Sequence, residues 1–274
     1  MTLPALDHLV LDVAHDLDAA ASAYRALGFD LTERGHHTLG SSNHLAIFAT
    51  NYLELLSPGQ PGGTIRQELL GFPPGLNGLV FATDDADARY HDLRARGIGV
   101  RDPQSFSRPV TLAGGTHDAR FRTTHLNREE VPFGRLYFCR HFTRELVWRP
   151  AWQRHPNGAQ DITALLISAD HPDGVATLLT RMFDDTPAGD ASSGLRFRAA
   201  AATIEIMSHA TTAALLGDAM PDAAGRPAFM ALMRVKTMSL RQAQDIIGTR
   251  GSLRNGRLLV PARAAGNVAI EFEA

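Results

Sequence analysis

Cysteine is nearly absent: Cys139 stands alone among 274 residues. An intramolecular disulfide is therefore excluded, and a reducing compartment is expected. Lysine is almost missing too. Lys236 is the sole one, so the 27 basic residues are nearly all arginine, as genomic base composition would impose. Neither charge sign dominates, because 27 Lys and Arg against 29 Asp and Glu give a formal −2. That removes the basic field that nucleic acid would need, and no basic helix or like-charge run suits a membrane surface. No run approaches the roughly 18 apolar residues of a membrane span. Residues 1–11 lack a basic n-region and a long apolar h-region, so no signal peptide is expected. A bacterial-type cytoplasmic protein is the default these absences leave. Also missing are G-x-S-x-G, H-E-x-x-H and Cys-x-x-Cys. The stretch "PGQPGG" at 58–63 is Gly-rich but lacks the Lys-Ser/Thr of a phosphate loop, and is expected to be flexible.

What is there is an ordinary globular composition, 44% hydrophobic and 20% charged, long enough for one large or two ordinary domains. It also repeats. "LDHLVLDVAHDLDAAASAYRALGFDL" (6–31) alternates as a strand, offers Asp16 as a helix N-cap, runs through an Ala-rich helix, and stops at Gly28. "LNGLVFATDDADARYHDLRARGIGV" (76–100) has the same order, with Asp84 or Asp85 as cap and Gly97 as stop. "ITALLISADHPDGVATLLTRMF" (162–183) is a third copy, and "AFMALMRVKTMSLRQAQDIIG" (228–248), capped by Ser239, a fourth. Each is followed by material for about three more strands, so each copy is a β-α-β-β-β unit. Residues 151–160, within "RPAWQRHPNGAQ", are rich in polar residues, Pro and Gly, as a linker is. The expected fold is α+β, with one domain over 1–150 and a second over 161–274.

Within this pattern "NYLELLS" (51–57) places Glu54 in the middle of an apolar strand. An uncompensated buried carboxylate costs several kcal/mol, roughly. Glu54 must then be protonated, paired, metal-bound or exposed. "TIEIMS" (203–208) repeats the motif with Glu205.

Paired units of this kind resemble the vicinal oxygen chelate superfamily, which includes glyoxalases, bleomycin-resistance proteins and extradiol dioxygenases. The wording is similar to its glyoxalase-like branch in "LDHLVLDV", "SSNHLAIFATNYLELLSP", "GLVFATDDADARYHDLRARGI" and "FCRHFTRELVWRPAWQRHPNGA". Together these span most of 1–160; the remainder matches only at the level of the unit. The resemblance implies curved mixed sheets whose units pair into cups, with ligands on the first and last strands of units. Residue by residue it implies His8 on the first strand and Glu54 on the last strand of unit one. In unit two it implies Asn77 on the first strand and His141 on the last. Asn77 is a poor transition-metal ligand, which leaves His8, Glu54 and His141 for a divalent Zn, Ni, Mn or Fe. Glu54 would double as the group that moves a proton, and "PGQPGG" would form a rim of the cup. Asn43, His44, Tyr52 and Asn77 complete the expected substrate contacts. In the second domain Thr163 and Ala231 fall at the ligand positions, with only Glu205 and Glu271 left, so that half reads as degenerate.

The bland alternatives are specific. His8 is satisfied by a carbonyl, Glu54 lies on a wet edge, His141 is exposed beside Arg140, and Asn43-His44 belongs to a turn. His36-His37 is expected to face water. Cys139, between aromatic neighbours, reads as inert packing. The implied activity is a metal-dependent lyase or isomerase acting on a small oxygenated metabolite. The alternatives are a non-catalytic protein that binds and sequesters a small molecule and, further off, a ring-cleaving dioxygenase. The implied partners are a small-molecule ligand and, since paired modules of this superfamily commonly associate, a second copy in a homodimer.

Overall fold

The computed structural model describes residues 3–59, 64–190 and 193–274. Residues 60–63 of the Gly-rich stretch lie outside the described residues. The strand-helix-strand-strand-strand order occurs four times. Unit one is β1 (Leu6–Asp12), α1 (Leu17–Ala26), β2 (Gly35–His36), β3 (Ser42–Ile47) and β4 (Tyr52–Ser57). Unit two is β5 (Gly75–Ala82), α2 (Ala86–Ala95), β6 (Gln104–Leu112), β7 (Gly115–His125) and β8 (Arg135–His141). Unit three is β9 (Ala159–Ala169), α3 (Pro172–Phe183), β10 (Ala188–Asp190), β11 (Gly194–Ala199) and β12 (Ala202–Ser208). After α4 (His209–Leu216), unit four is β13 (Ala228–Thr237), α5 (Leu240–Ile247), β14 (Ser252–Arg254), β15 (Arg257–Val260) and β16 (Ala269–Glu273). The fold is α+β, with two vicinal-oxygen-chelate-type halves.

The helices start where short polar side chains can satisfy their first amides. Asp16 accepts from Ala19, Asp85 from Asp87 and Ala88, and Ser239 from Gln242. In each half the first strands of the two units run antiparallel side by side, β1 with β5 and β9 with β13. Each first strand also pairs in parallel with the last strand of its own unit: β1 with β4, β5 with β8, β9 with β12 and β13 with β16. The halves join through Met230 with Leu76 and through an isolated parallel bridge of Leu3 with Ala199. One apolar core runs between them: Phe29 stacks on Phe272 at 5.8 Å, and Phe183 meets Phe81 edge-on at 5.3 Å.

The segment between the halves is pinned rather than loose. His155 is buried, with Nδ1 accepting from the Asp30 amide and Nε2 donating to the Ile47 carbonyl. Asn157 donates to the Leu27 carbonyl and accepts from the Ala159 amide.

In the second half, alanine stands at the position of His8, and an arginine stands across from it. Across the central strands His8 faces Val80, whereas Ala164 faces Arg234. Arg234 is buried and donates to Glu205 at 3.1 Å and to Glu271 at 2.7 Å. Arg257 reaches Glu271 and Glu273 at 3.2 Å each, and Thr163 donates to Glu273. Burial opposes the Arg234 charge, but Glu205 and Glu271 outweigh it and the net pKa direction is up. Removing one partner of such a network strands the others. Arg234→Met is expected to lower unfolding stability by about 3–5 kcal/mol, read from urea denaturation. Ligand binding in the first half should be unchanged in the folded variant. A cost under about 1 kcal/mol, within the range of an exposed pair, would show that the network is not what holds this half shut.

Candidate active site

Alternation along β1, β4 and β8 aims side chains from three strands into the hollow of the first half. Glu54 stands in register with Val10, beside His8 in register with Tyr52. The hollow holds a cavity of about 550 Å³, counted to its mouth. His8, Tyr52, Glu54, Asn43, Arg108 and Tyr137 are among its walls. Phe106 and Phe121, stacked 5.1 Å apart, form an apolar side.

His8 is oriented from behind. Asp7 Oδ1 lies 2.6 Å from His8 Nδ1. With the proton on Nδ1, the Nε2 lone pair points into the cavity. There it lies 3.2 Å from the Tyr137 hydroxyl and 3.8 Å from Glu54 Oε2. Tyr52 stacks on the imidazole at 4.3 Å. The β1–β5 register shifts between Leu6 and His8, and the carboxylate of Asp7 meets the ring of its own neighbour instead of facing away.

Glu54 is 6% exposed, and Asn43 donates to its Oε1 at 2.6 Å. His37 Nε2 lies 3.8 Å from the same oxygen. Burial works to raise the Glu54 pKa, while His37, His8, Asn43 and Arg108 lower it, and the net direction is down. Burial pushes His37 itself down to about 4, so near neutral pH its ring is uncharged. The Asn43 hydrogen bond and the Arg108 charge favour the ionised form of Glu54 there. Burial likewise pushes the Tyr137 hydroxyl, the Tyr52 hydroxyl and the Cys139 thiol well up, leaving all three protonated.

Arg108 is the most informative group of the cup. It reaches in from β6, is 3% exposed, and has no hydrogen bond or ion-pair partner among the described residues; its Nη2 is buried and unsatisfied. Only glycine at 35 lets it pass. A Cβ there would come within 2.5 Å of Arg108 Cδ and 2.6 Å of Nη1. Burial lowers the Arg108 pKa, against the pull of Tyr52 and Glu54.

The expected site residues divide. His8, Glu54, Tyr52 and Asn43 come together in the cavity. His44 sits on the opposite face of β3 from Asn43, with Nδ1 on the Thr32 carbonyl, because adjacent strand residues point opposite ways. Asn77 is held by the Pro73 and Gly75 carbonyls and by Arg226 from the other half, so it serves the joint between halves. His141 lies 3.0 Å from Asp7 and shares it with His8, rather than meeting His8 and Glu54 as a third ligand. His37 is the residue the sequence misplaces. Expected in water, it turns its ring toward Glu54, while His36 faces out.

The donor set also decides how well the cup fits the metal centre implied by the resemblance. Parallel register makes Tyr137, opposite Val80, the unit-two counterpart of Glu54, opposite Val10. The counterpart of His8 is Gly78, where a Cβ would strike Val10 at 2.7 Å. These four positions supply one imidazole, one carboxylate, a protonated phenol and a hydrogen atom. His37 brings a second imidazole 3.8 Å from Glu54, but His8, His37 and Glu54 do not converge within 4.8 Å of one another as three ligands of one ion. The cup does not fit that group. Among the described residues, Asp7, Cys139 and His141 converge instead, with donor atoms within 4.8 Å of one another.

A family model described as "Glyoxalase-like domain" matches residues 6–183. No curated protein matches the chain. Among solved structures, a hypothetical protein from Staphylococcus aureus superposes with TM-score 0.71 at 12% identity, covering 99% of each chain. A variant of 4-hydroxymandelate synthase from Streptomyces coelicolor gives TM-score 0.60 at 12% identity, covering 99% of this chain and 92% of that one. A variant of methylmalonyl-CoA epimerase from Streptomyces coelicolor is 26% identical over 51% of this chain and 98% of that one, with TM-score 0.39. The full-length neighbours share the fold alone. No helix among the described residues is long and apolar enough to cross a membrane. With its match over more than half of the chain and its paired β-α-β-β-β units, the chain belongs to the glyoxalase-like family of the vicinal oxygen chelate superfamily.

Proposed function

We propose that the chain is a lyase or isomerase acting on a small oxygenated carboxylate held in the first-half cup. The observation that carries this is Arg108. A buried guanidinium without a partner is costly, and the planar fork suits a carboxylate. It shares the cavity with the Asp7–His8 pair and Glu54, so one ligand would touch both ends.

With a substrate carboxylate on Arg108, the C–H next to the substrate's ketone or aldehyde carbonyl faces His8 Nε2. His8 takes that proton, and Asp7 and Glu54 flank the imidazolium that forms. The electron pair left on carbon moves to the neighbouring carbonyl oxygen, where the Tyr137 hydroxyl donates to the enediolate. Returning the proton to the adjacent carbon completes an isomerisation; expelling a β-substituent completes an elimination.

A sequestration role expects Glu54 to pair with an arginine or face water, and it does neither. A dioxygenase centre of two histidines and a carboxylate, expected in the second half, meets the Arg234 network there.

The test is a panel of small 2-oxo and 2-hydroxy carboxylates incubated in D2O and followed by proton NMR. Deuterium entry at the carbon next to the substrate carbonyl (C3 of a 2-oxo acid, C2 of a 2-hydroxy acid with a carbonyl at C3) in at least one member is the expected result. Binding without exchange or turnover would favour sequestration. No binding by any carboxylate would sink the anion assignment.

A further inference from the structure

At the edge of the cup, beside His8, a second cluster is unused by this chemistry; its Cys139 also lines the cup. Asp7 on β1 and Cys139 and His141 on β8 bring a carboxylate, a thiol and an imidazole within 4.8 Å of one another. We propose that these three side chains form a zinc site at the edge of the cup, tied to the cup imidazole through Asp7.

Three observations support it. First, the polar atoms are unsatisfied. Asp7 Oδ2 and His141 Nδ1 are buried without a hydrogen-bond partner, and the two side chains are only 1% and 5% exposed; they meet each other through His141 Nε2 and Asp7 Oδ1 at 3.0 Å, a contact the ion would rearrange. Buried polar atoms are normally paired, so two orphans in one cluster call for a missing partner. Second, the donors suit the ion. Thiolate, imidazole and carboxylate are the zinc ligands, and around a tetrahedral ion they stand roughly 3.3–3.8 Å apart. A thiolate and a carboxylate also cancel the charge of the divalent ion, which makes a neutral buried unit. Third, the cluster has an access path. It forms one wall of a surface cavity bordered by Thr83, Asp84, Arg140 and Arg144, from which a water can take the fourth position.

The site shares His141 with the centre implied by the family resemblance but replaces His8 and Glu54 by Asp7 and Cys139. Asp7 would ligate through Oδ2 while Oδ1 keeps its hydrogen bond to His8 Nδ1. The ion would then fix the carboxylate that orients the cup imidazole, an arrangement common behind metal-linked histidines.

Protein purified without chelator is measured for metal by mass spectrometry, then stripped and titrated with Zn2+ and Co2+. One equivalent of zinc per chain is expected. The cobalt form of the unaltered protein should show a thiolate-to-cobalt charge-transfer band, a readout that does not depend on how any variant folds. Cys139→Ser and His141→Ala should each weaken zinc binding by at least about 10-fold and Cys139→Ser should abolish the band, while Glu54→Ala keeps both. Protein that stays metal-free on titration overturns the site. So does a cobalt form without the thiolate band, or metal retained at full affinity by Cys139→Ser.

Discussion

Arg108→Met should lose the ligand and keep the fold. Methionine follows the same apolar path past Gly35 without the charge. A hydrogen bond to a charged group contributes about 1.5–3 kcal/mol, so a carboxylate ligand should bind roughly 10- to 150-fold more weakly. Stability should move the other way or not at all. The side chain is 3% exposed and without a hydrogen bond or ion pair, so its desolvation is offset only in part, by the nearby Glu54 charge. Replacing it by an apolar side chain removes that burden, as stability–function trade-offs at binding sites lead one to expect. Arg108→Lys keeps the charge but not the two-pronged donor, and should recover only part of the affinity. Titration calorimetry and a thermal melt separate the cases. A melt lowered by several degrees with unchanged affinity would make Arg108 a structural residue and remove the basis of the proposed substrate class.

The architecture could be read from the sequence because it repeats. Asp16, Asp85 and Ser239 cap helices after strands of one pattern, and the parallel register of first and last strands follows in all four units. His8 and Glu54 were legible for the same reason: strand alternation and the "YLELLS"/"TIEIMS" echo mark positions that a cup must use. Their surroundings answer what the echo left open, since Glu54 lies beside His8 while Glu205 is tied to Arg234.

The rest of the cup has no periodic signal. His37 follows a strand of only two residues, too short for alternation to fix its direction. Arg108 enters from the other unit through a gap at Gly35, a tertiary fact that no local pattern encodes. Asn77 and Gly78 differ by one residue, and a one-residue offset swaps the faces of a strand. Asp7 escapes alternation through the register shift in β1. A sequence shows such a group only as a charge next to a histidine.

His8→Ala should reduce turnover about 10²- to 10⁴-fold, the usual contribution of a positioned general base, with little change in substrate affinity. The split follows from the division of the cup. Arg108 holds the anion, while His8 meets the substrate at the carbon that loses its proton. A merely structural His8 would show itself differently. Its ring stacks on Tyr52 at 4.3 Å and shares Asp7 with His141, so loss of packing would lower the melting temperature and disturb binding and turnover together. Exogenous imidazole sharpens the distinction, because the cavity left by the truncated ring is the right shape for it. Partial rescue of deuterium exchange by imidazole, with rate rising as the free base is added, identifies the missing group as the proton acceptor. Full exchange in His8→Ala without added base would move that role to the other ionised group facing the substrate, Glu54, and Glu54→Gln would then have to abolish it.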